Sequence, residues 1–319
     1  MDAYNNTTIN LKLASRIYHD VIIGVLPITT AGLIINIAIV ELLLTDRDFF
    51  KTTYRLLCIS AISDIVSSLK SIIGYYFVVF DSLDYQSGAA WCFIAMSIGP
   101  ISNGISLMNL ALIAVDRYFA IVRPLSLFYR YHKVKFLVIS EILIWIVATI
   151  LSLLFGSYFI GYPDAPLLCD LVNMDSKKAI VVATLGVFLF LIPVTIITTS
   201  YISISVSQKK YVRPGFWTSD QLEQDHQKKM RFIKMLISLA ICYALIVTPN
   251  FISAILIGFR TKSIRQTALD NLVLFLFFYI GNIVTTALNV LNPVLYLIFD
   301  RQIRSKLWLQ TKSKFSLLS

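Results

Sequence analysis

Seven long apolar runs constrain this chain more than any other feature. They lie near residues 20–45, 53–80, 89–122, 133–160, 176–208, 226–258 and 268–298. A helix crosses a bilayer in roughly 20 apolar residues, so each run is long enough to span one. Their length and continuity predict helices rather than the short alternating strands of a barrel. A chain that is 57% hydrophobic and 14% charged could not bury this much apolar surface in a water-soluble fold. The first nineteen residues are polar and lead directly into the first run, so no cleaved signal peptide is expected.

Lysine and arginine set the orientation. With the N-terminus outside, twenty of the 28 basic residues fall on the inner side and seven on the outer side. Lys70 lies within the second run. The net charge of +10 is therefore read as membrane topology and attraction to anionic lipid, with no nucleic-acid partner. The organisation expected is an extracellular N-terminus over 1–19, a seven-span domain over 20–298 and a cytoplasmic segment over 299–319. Asn5 and Asn6 both begin glycosylation sequons. On this topology Cys92 and Cys169 face the oxidising outer side, which permits a disulfide. Cys58 and Cys242 fall within spans and read as small buried residues.

Several polar residues recur at telling places along the spans. They are Asn36 in the first, Asp64 in the second, and Cys92 with Asp116-Arg117-Tyr118 in the third. Trp145 follows in the fourth, Pro193 and Tyr201 in the fifth, Pro249 in the sixth, and Asn292-Pro293-Val294-Leu295-Tyr296 in the seventh. In this order, and with 25 residues between Cys92 and Arg117, the chain resembles the rhodopsin-like G-protein-coupled receptors over nearly its whole length. The resemblance implies an all-α membrane protein of the plasma membrane, a seven-transmembrane helix bundle with a short amphipathic helix after the seventh span. It also implies a Cys92–Cys169 disulfide and the partners of a receptor: an extracellular ligand, a heterotrimeric G protein and membrane lipids.

The resemblance assigns roles to particular residues. Asp116 would hold Arg117 in the resting state, and Arg117 would extend towards Tyr201, Tyr296 and the G protein in the active one. Asp116, Arg117, Tyr118, Tyr201, Asn292, Pro293 and Tyr296 make up that switch. Pro124 and Leu125 would contact the G protein. Pro193, Pro249 and Pro293 would act as hinges, since proline removes a backbone donor and bends its helix. Asp64 is a carboxylate in mid-membrane, which costs about 3 kcal/mol unless paired or solvated. One reading is a protonated, hydrogen-bonded acid. The other is a sodium site completed by Ser106, Asn289 and Asn292, the one ion expected in a protein otherwise without cofactors. The ligand pocket is expected to include Tyr75, Tyr76, Gly99, Asn103, Leu185, Asn250, Phe251, Phe278 and Asn282. Its mouth would set Arg260, Lys262 and Arg265 against Asp164, Asp170 and Asp175. Ile303, Leu307 and Trp308 would face lipid after the seventh span, with Arg301, Arg304 and Lys306 in water.

Four positions depart from, or discriminate within, the family pattern. Val247 stands where a tryptophan often precedes the sixth-span proline. Lys229 stands where an acid often pairs with the switch arginine, so a weaker resting restraint and some ligand-independent activity are expected. Gly99 stands where amine receptors carry aspartate, and Thr286 where opsins carry the retinal lysine, so a peptide, lipid or neutral small molecule is expected rather than an amine or linked retinal. Lys70 would either meet an anion in the cavity or reach the lipid boundary. No HExxH, GxSxG or metal-spaced His/Cys set is present, so no enzyme is expected. A decoy receptor without signalling and a transporter are the alternatives. The transporter lacks the repeats and paired charges of that class.

Overall fold

The computed structural model describes residues 2–80, 82–172, 175–210, 240–249 and 263–318, with isolated positions 234, 237, 238 and 252. Helices α1 (Asp2–Thr45), α2 (Thr52–Phe80), α3 (Tyr85–Ile121) and α4 (Leu127–Gly156) come first. Strands β1 (Phe159–Tyr162) and β2 (Ala165–Leu171) follow as an antiparallel pair. Then come α5 (Ser176–Gly186) and α6 (Ile192–Lys210), and α7 (Ala240–Pro249). The chain closes with α8 (Ile264–Asp270), α9 (Leu272–Thr285), α10 (Leu288–Phe299) and α11 (Arg301–Leu318).

Five stretches are long and apolar enough to cross a membrane: His19–Thr45, Thr52–Phe80, Tyr85–Ile121, Tyr129–Gly156 and Ser176–Ser207. Of the sixth run only part lies among the described residues. The seventh is divided between α9 and α10, which part at Thr286–Ala287. The expected all-α architecture needs one correction, because the second outer loop forms the β1–β2 hairpin. Helix α1 also begins at Asp2, so it includes the polar stretch assigned to the N-terminus. Asn5 and Asn6 fall at its start, and their side chains lie outside the described residues.

Side-chain burial explains the order of packing. Helix α3 buries Leu107, Leu110, Ala111, Leu112, Ile113 and Ala114, a run that covers every face. It sits at the centre, against α2, α4, α6 and the hairpin. Small polar residues let α2 and α3 approach closely. Ser63 Oγ donates to the Ser102 carbonyl at 3.3 Å, and Ser102 Oγ returns the bond to the Ser63 carbonyl at 2.9 Å. Helix α1 meets α10 through Gly32, where a Cβ would stand 2.5 Å from Val290 Cγ2. Between α5 and α6 the backbone makes one wide π turn over Val187–Leu191, just before Pro193.

Pro293 lacks the N–H that would bond the carbonyl four residues back. That carbonyl belongs to Asn289, and Asn36 Nδ2 donates to it across the bundle at 2.7 Å. The first span thus supplies the hydrogen bond that the proline removed.

Helix α11 turns away from the seventh span by 99°. Asp300 makes the turn, accepting from the backbone N–H of Gln302 at 2.9 Å and Ile303 at 3.2 Å. Ile303 is fully buried in the core, which corrects its expected place against lipid. Trp308 remains exposed. Lys306 is likewise not left to water alone: its Nζ donates to Asp46 and Asp48, both at 2.7 Å. These bonds raise the Lys306 pKa and hold the Asp46 carboxyl below its usual range.

Candidate functional site

The outer end is built around the hairpin. Cys92, at the start of α3, is joined to Cys169 on β2 with Cα atoms 5.2 Å apart. The hairpin therefore stands over the bundle, and Phe159, Leu167 and Cys169 form part of a cavity beneath it. The opposed charges at the mouth pair with each other. Arg265 grips Asp164 through two bonds of 2.8 and 2.6 Å, and its guanidinium lies 4.6 Å over the Tyr162 ring. Tyr162 donates to Asp170 at 2.6 Å. Asp175 instead caps α5, accepting from the Lys178 N–H at 2.8 Å. Arg260 and Lys262 lie outside the described residues.

The Arg265 hydrogen bonds hold the Asp164 carboxyl below its ordinary pKa. A lowered acid stabilises the folded state above its unfolded pKa, about 4, and stops doing so as pH falls through the folded value. The melting difference between wild type and Arg265→Ala should therefore stay constant from pH 8 to about 5 and shrink below about 4. A difference that is flat into acid would mean this pair tethers nothing.

The cavity, of about 270 Å³, is lined by α2, α3, the hairpin, α5 with the wide turn, α7 and the seventh span. Tyr75, Gly99, Asn103 and Leu185 line it, as does Val247. Tyr75 meets Thr286 by a hydroxyl contact of 3.3 Å. Tyr76 does not belong here. It is exposed on the outer face of α2 and packs on Phe80, because neighbouring helical residues point about 100° apart. Asn250, Phe251 and the side chains of Phe278 and Asn282 lie outside the described residues. Lys70 lines the cavity.

Tyr243 forms part of the cavity floor, and it is also bonded below. Asn292 Nδ2 donates to the Tyr243 hydroxyl at 3.0 Å and to Asp64 Oδ2 at 2.8 Å. Ser106 Oγ donates to Asp64 Oδ1 at 3.1 Å. Asn289 sends its amide to Ser67 Oγ at 3.0 Å, beside the same cluster. Tyr201 and Tyr296 are buried beneath this cluster. Pro249 is the last described residue of α7, Pro193 follows the wide turn, and Pro293 lies within α10.

At the inner end, Asp116 is buried and shared. Its Oδ1 lies 2.5 Å from Lys133 Nζ and accepts from the Tyr129 hydroxyl at 2.7 Å. Its Oδ2 is 3.9 Å from Arg117 Nη2. Arg117 in turn donates to Thr53 Oγ1 on α2. The expected Asp116–Arg117 lock is thus the looser half of a larger cluster. Tyr118 packs edge-on to Phe119, which stacks on Tyr129. Pro124 is exposed, and Leu125 is 91% exposed. Lys229 lies outside the described residues.

Sequence reasoning missed Lys133, Tyr129, Thr53 and the lower bond of Tyr243. It also missed Glu141, a further acid within a span. Trp145 Nε1 donates to Glu141 Oε1 at 3.0 Å, and the i, i+4 spacing on α4 was the available signal.

The family model of the 7 transmembrane receptor (rhodopsin family) matches residues 35–296. The chain belongs to this family. The receptor is 28% identical to the tachykinin-like peptides receptor 99D of Drosophila melanogaster over 243 residues, which is 71% of this chain and 44% of the relative. It is 34% identical to the muscarinic acetylcholine receptor M3 of Gallus gallus over 114 residues, 34% of this chain and 17% of the relative. With the M4 receptor of the same species identity is 26% over 208 residues, 64% and 41% of the two chains. The aligned part is less than half the length of each of these relatives. The family is one of signalling receptors rather than enzymes.

Proposed function

We propose that the receptor binds an extracellular ligand in the cavity beneath the hairpin and passes the signal to a heterotrimeric G protein. The observation that carries this reading is Tyr243. One side of it forms the cavity floor, and its hydroxyl joins Asn292 and Asp64. A ligand that favours one position of Tyr243 shifts the populations of the whole cluster below, as differential binding requires. The sixth span, hinged at Pro249, then moves outward and uncovers Arg117, Tyr201 and Tyr296, a rigid-helix motion of a familiar kind. Pro124 and Leu125 offer the G protein an exposed apolar knob. The chain sits in the plasma membrane with its N-terminus outside, and α11 lies on the inner leaflet.

A sodium ion beside Asp64 belongs to the same proposal. The buried oxygens Asn289 Oδ1 and Asn292 Oδ1 have no hydrogen-bond partner among the described residues. Together with Asp64 and Ser106 they form the oxygen-only donor set that a hard cation prefers. The ion would steady the resting cluster electrostatically.

The test is nucleotide exchange on purified G proteins of several coupling classes. The receptor is expected to raise exchange above a receptor-free control without ligand, since Asp116 holds Arg117 loosely. Arg117→Ala is expected to lower that exchange at least tenfold, about 1.4 kcal/mol. Exchange that survives Arg117→Ala would sink the mechanism. No exchange with any class would favour the decoy, a reading kept in view by Val247 at the cavity wall.

A further inference from the structure

Lys70 is an ammonium in the middle of the second span, and it lines the cavity. It faces α3 across open space: a Cβ built on Gly99 would find Lys70 Nζ, at 3.9 Å, as its nearest atom. Among the described residues Lys70 has no hydrogen bond or ion pair. The described cavity lining contains no other charged side chain. A mid-span ammonium with no counter-charge among the described residues is costly, and it persists at functional sites.

The rest of the wall limits what can supply that counter-charge. Trp91, Phe155, Leu185 and Leu189 are apolar, Asn103, Tyr75 and Thr286 are neutral polar groups, and the Ser71 hydroxyl is spent on the Ser67 carbonyl at 2.9 Å. One point cation suits one singly charged group. A phosphate would call for further cations or a fork of donors. The volume lies at the low end of small-molecule sites, about 300 Å³. Acetylcholine, the ligand in the name of the muscarinic relatives, is itself a cation and would be repelled here.

We propose that Lys70 anchors a ligand carboxylate, and that the receptor responds to a small organic acid with an apolar or aromatic body. The proposal rests on the reading of this cavity as the ligand site. The same chemistry could come from the free C-terminus of a peptide, and the test separates the two sources.

The full chain is reconstituted in nanodiscs with Cys58→Ser and Cys242→Ser, and Gly99→Cys places a thiol beside Lys70. Two thiosulfonate reagents, one with a sulfonate and one with a trimethylammonium group, are applied from outside. The ratio of anionic to cationic labelling rates is expected to fall at least about tenfold on Lys70→Gln and to stay high with Lys70→Arg, the size one nearby charge gives in a partly wetted site. An unchanged ratio overturns the proposal. Labelling by neither reagent overturns it together with the reading of the cavity as a ligand site. Protection of the thiol is then measured with 4-phenylbutanoate, with a decapeptide ending in a free carboxylate, and with the amides of both. Protection by the small acid but not its amide supports the assignment. Protection by the acid-ended peptide alone assigns the carboxylate to a peptide terminus. Protection by neither, or equal protection by the amides, overturns the carboxylate assignment. None of these readouts needs a G protein, so a charge-selective cavity in a receptor that fails the exchange assay would refute signalling and leave Lys70 standing.

Discussion

Receptor in which Cys92 and Cys169 are both replaced by serine is expected to melt far below wild type. The bond closes a loop between residues 77 apart. By loop-closure entropy a loop of that size is worth roughly 4.5 kcal/mol. The loss is larger in its consequences than that figure, because the hairpin forms the roof of the cavity. With the bond gone, β1 and β2 keep their own pairing, the Arg265 contacts to Asp164, Asp170 and Tyr162, and the packing of Phe159 and Leu171 on Phe275, none of them covalent. Melting of nanodisc-embedded protein and labelling of Gly99→Cys measure the two parts separately. A melting temperature within about 2 °C of wild type would show that the bond secures nothing.

Substitutions at Asp116 and Lys133 are expected to move basal signalling in opposite directions. Asp116 is gripped by Lys133 and Tyr129 at 2.5 and 2.7 Å, while Arg117 stands off at 3.9 Å. Lys133→Ala leaves Arg117 as the nearest cation to a buried carboxylate, so Arg117 is held harder and basal nucleotide exchange falls. Asp116→Asn removes the anion from both, and exchange rises. A hydrogen bond to a charged group is worth about 1.5–3 kcal/mol, so each change should approach or exceed tenfold in exchange per receptor at the surface. Changes of the same sign would mean that the cluster is a structural support of α4 and not part of the switch. Surface counts are needed in the same cells, because Lys133→Ala leaves the buried Asp116 short of a partner and so also lowers stability.

The contrast between these residues shows what the amino-acid order could reveal. Span positions follow from the length of apolar runs, a property of each segment by itself. The cysteine pair follows from topology and the family resemblance together. Which residue meets which across the bundle depends on helix rotation and packing, and linear order leaves these open. Lys133 lies on the next helix beyond the second inner loop, and its contact with Asp116 appears only once α3 and α4 pack. Tyr75 and Tyr76 are adjacent in sequence, yet one faces the cavity and the other points outward. Lys70 is the clearest instance: the order of residues left two destinations open, and the rotation of α2 chose the cavity. Asn289 lies in the polar cluster, and its bond to Ser67 was not legible in the order of residues.

The wide turn at Val187–Leu191 has a consequence for how the fifth span works. Leu185 above it and Leu189 within it belong to the cavity wall; below it, Tyr201 reaches the core. A π turn holds more residues than an α turn, so the two halves share an axis but not an angular phase. Removing one residue there would swing the lower half by about 100° and carry Tyr201 off the core, with the wall above left in place. The span is in effect two dials on one shaft, and their relative setting is fixed by a count of residues rather than by any side chain.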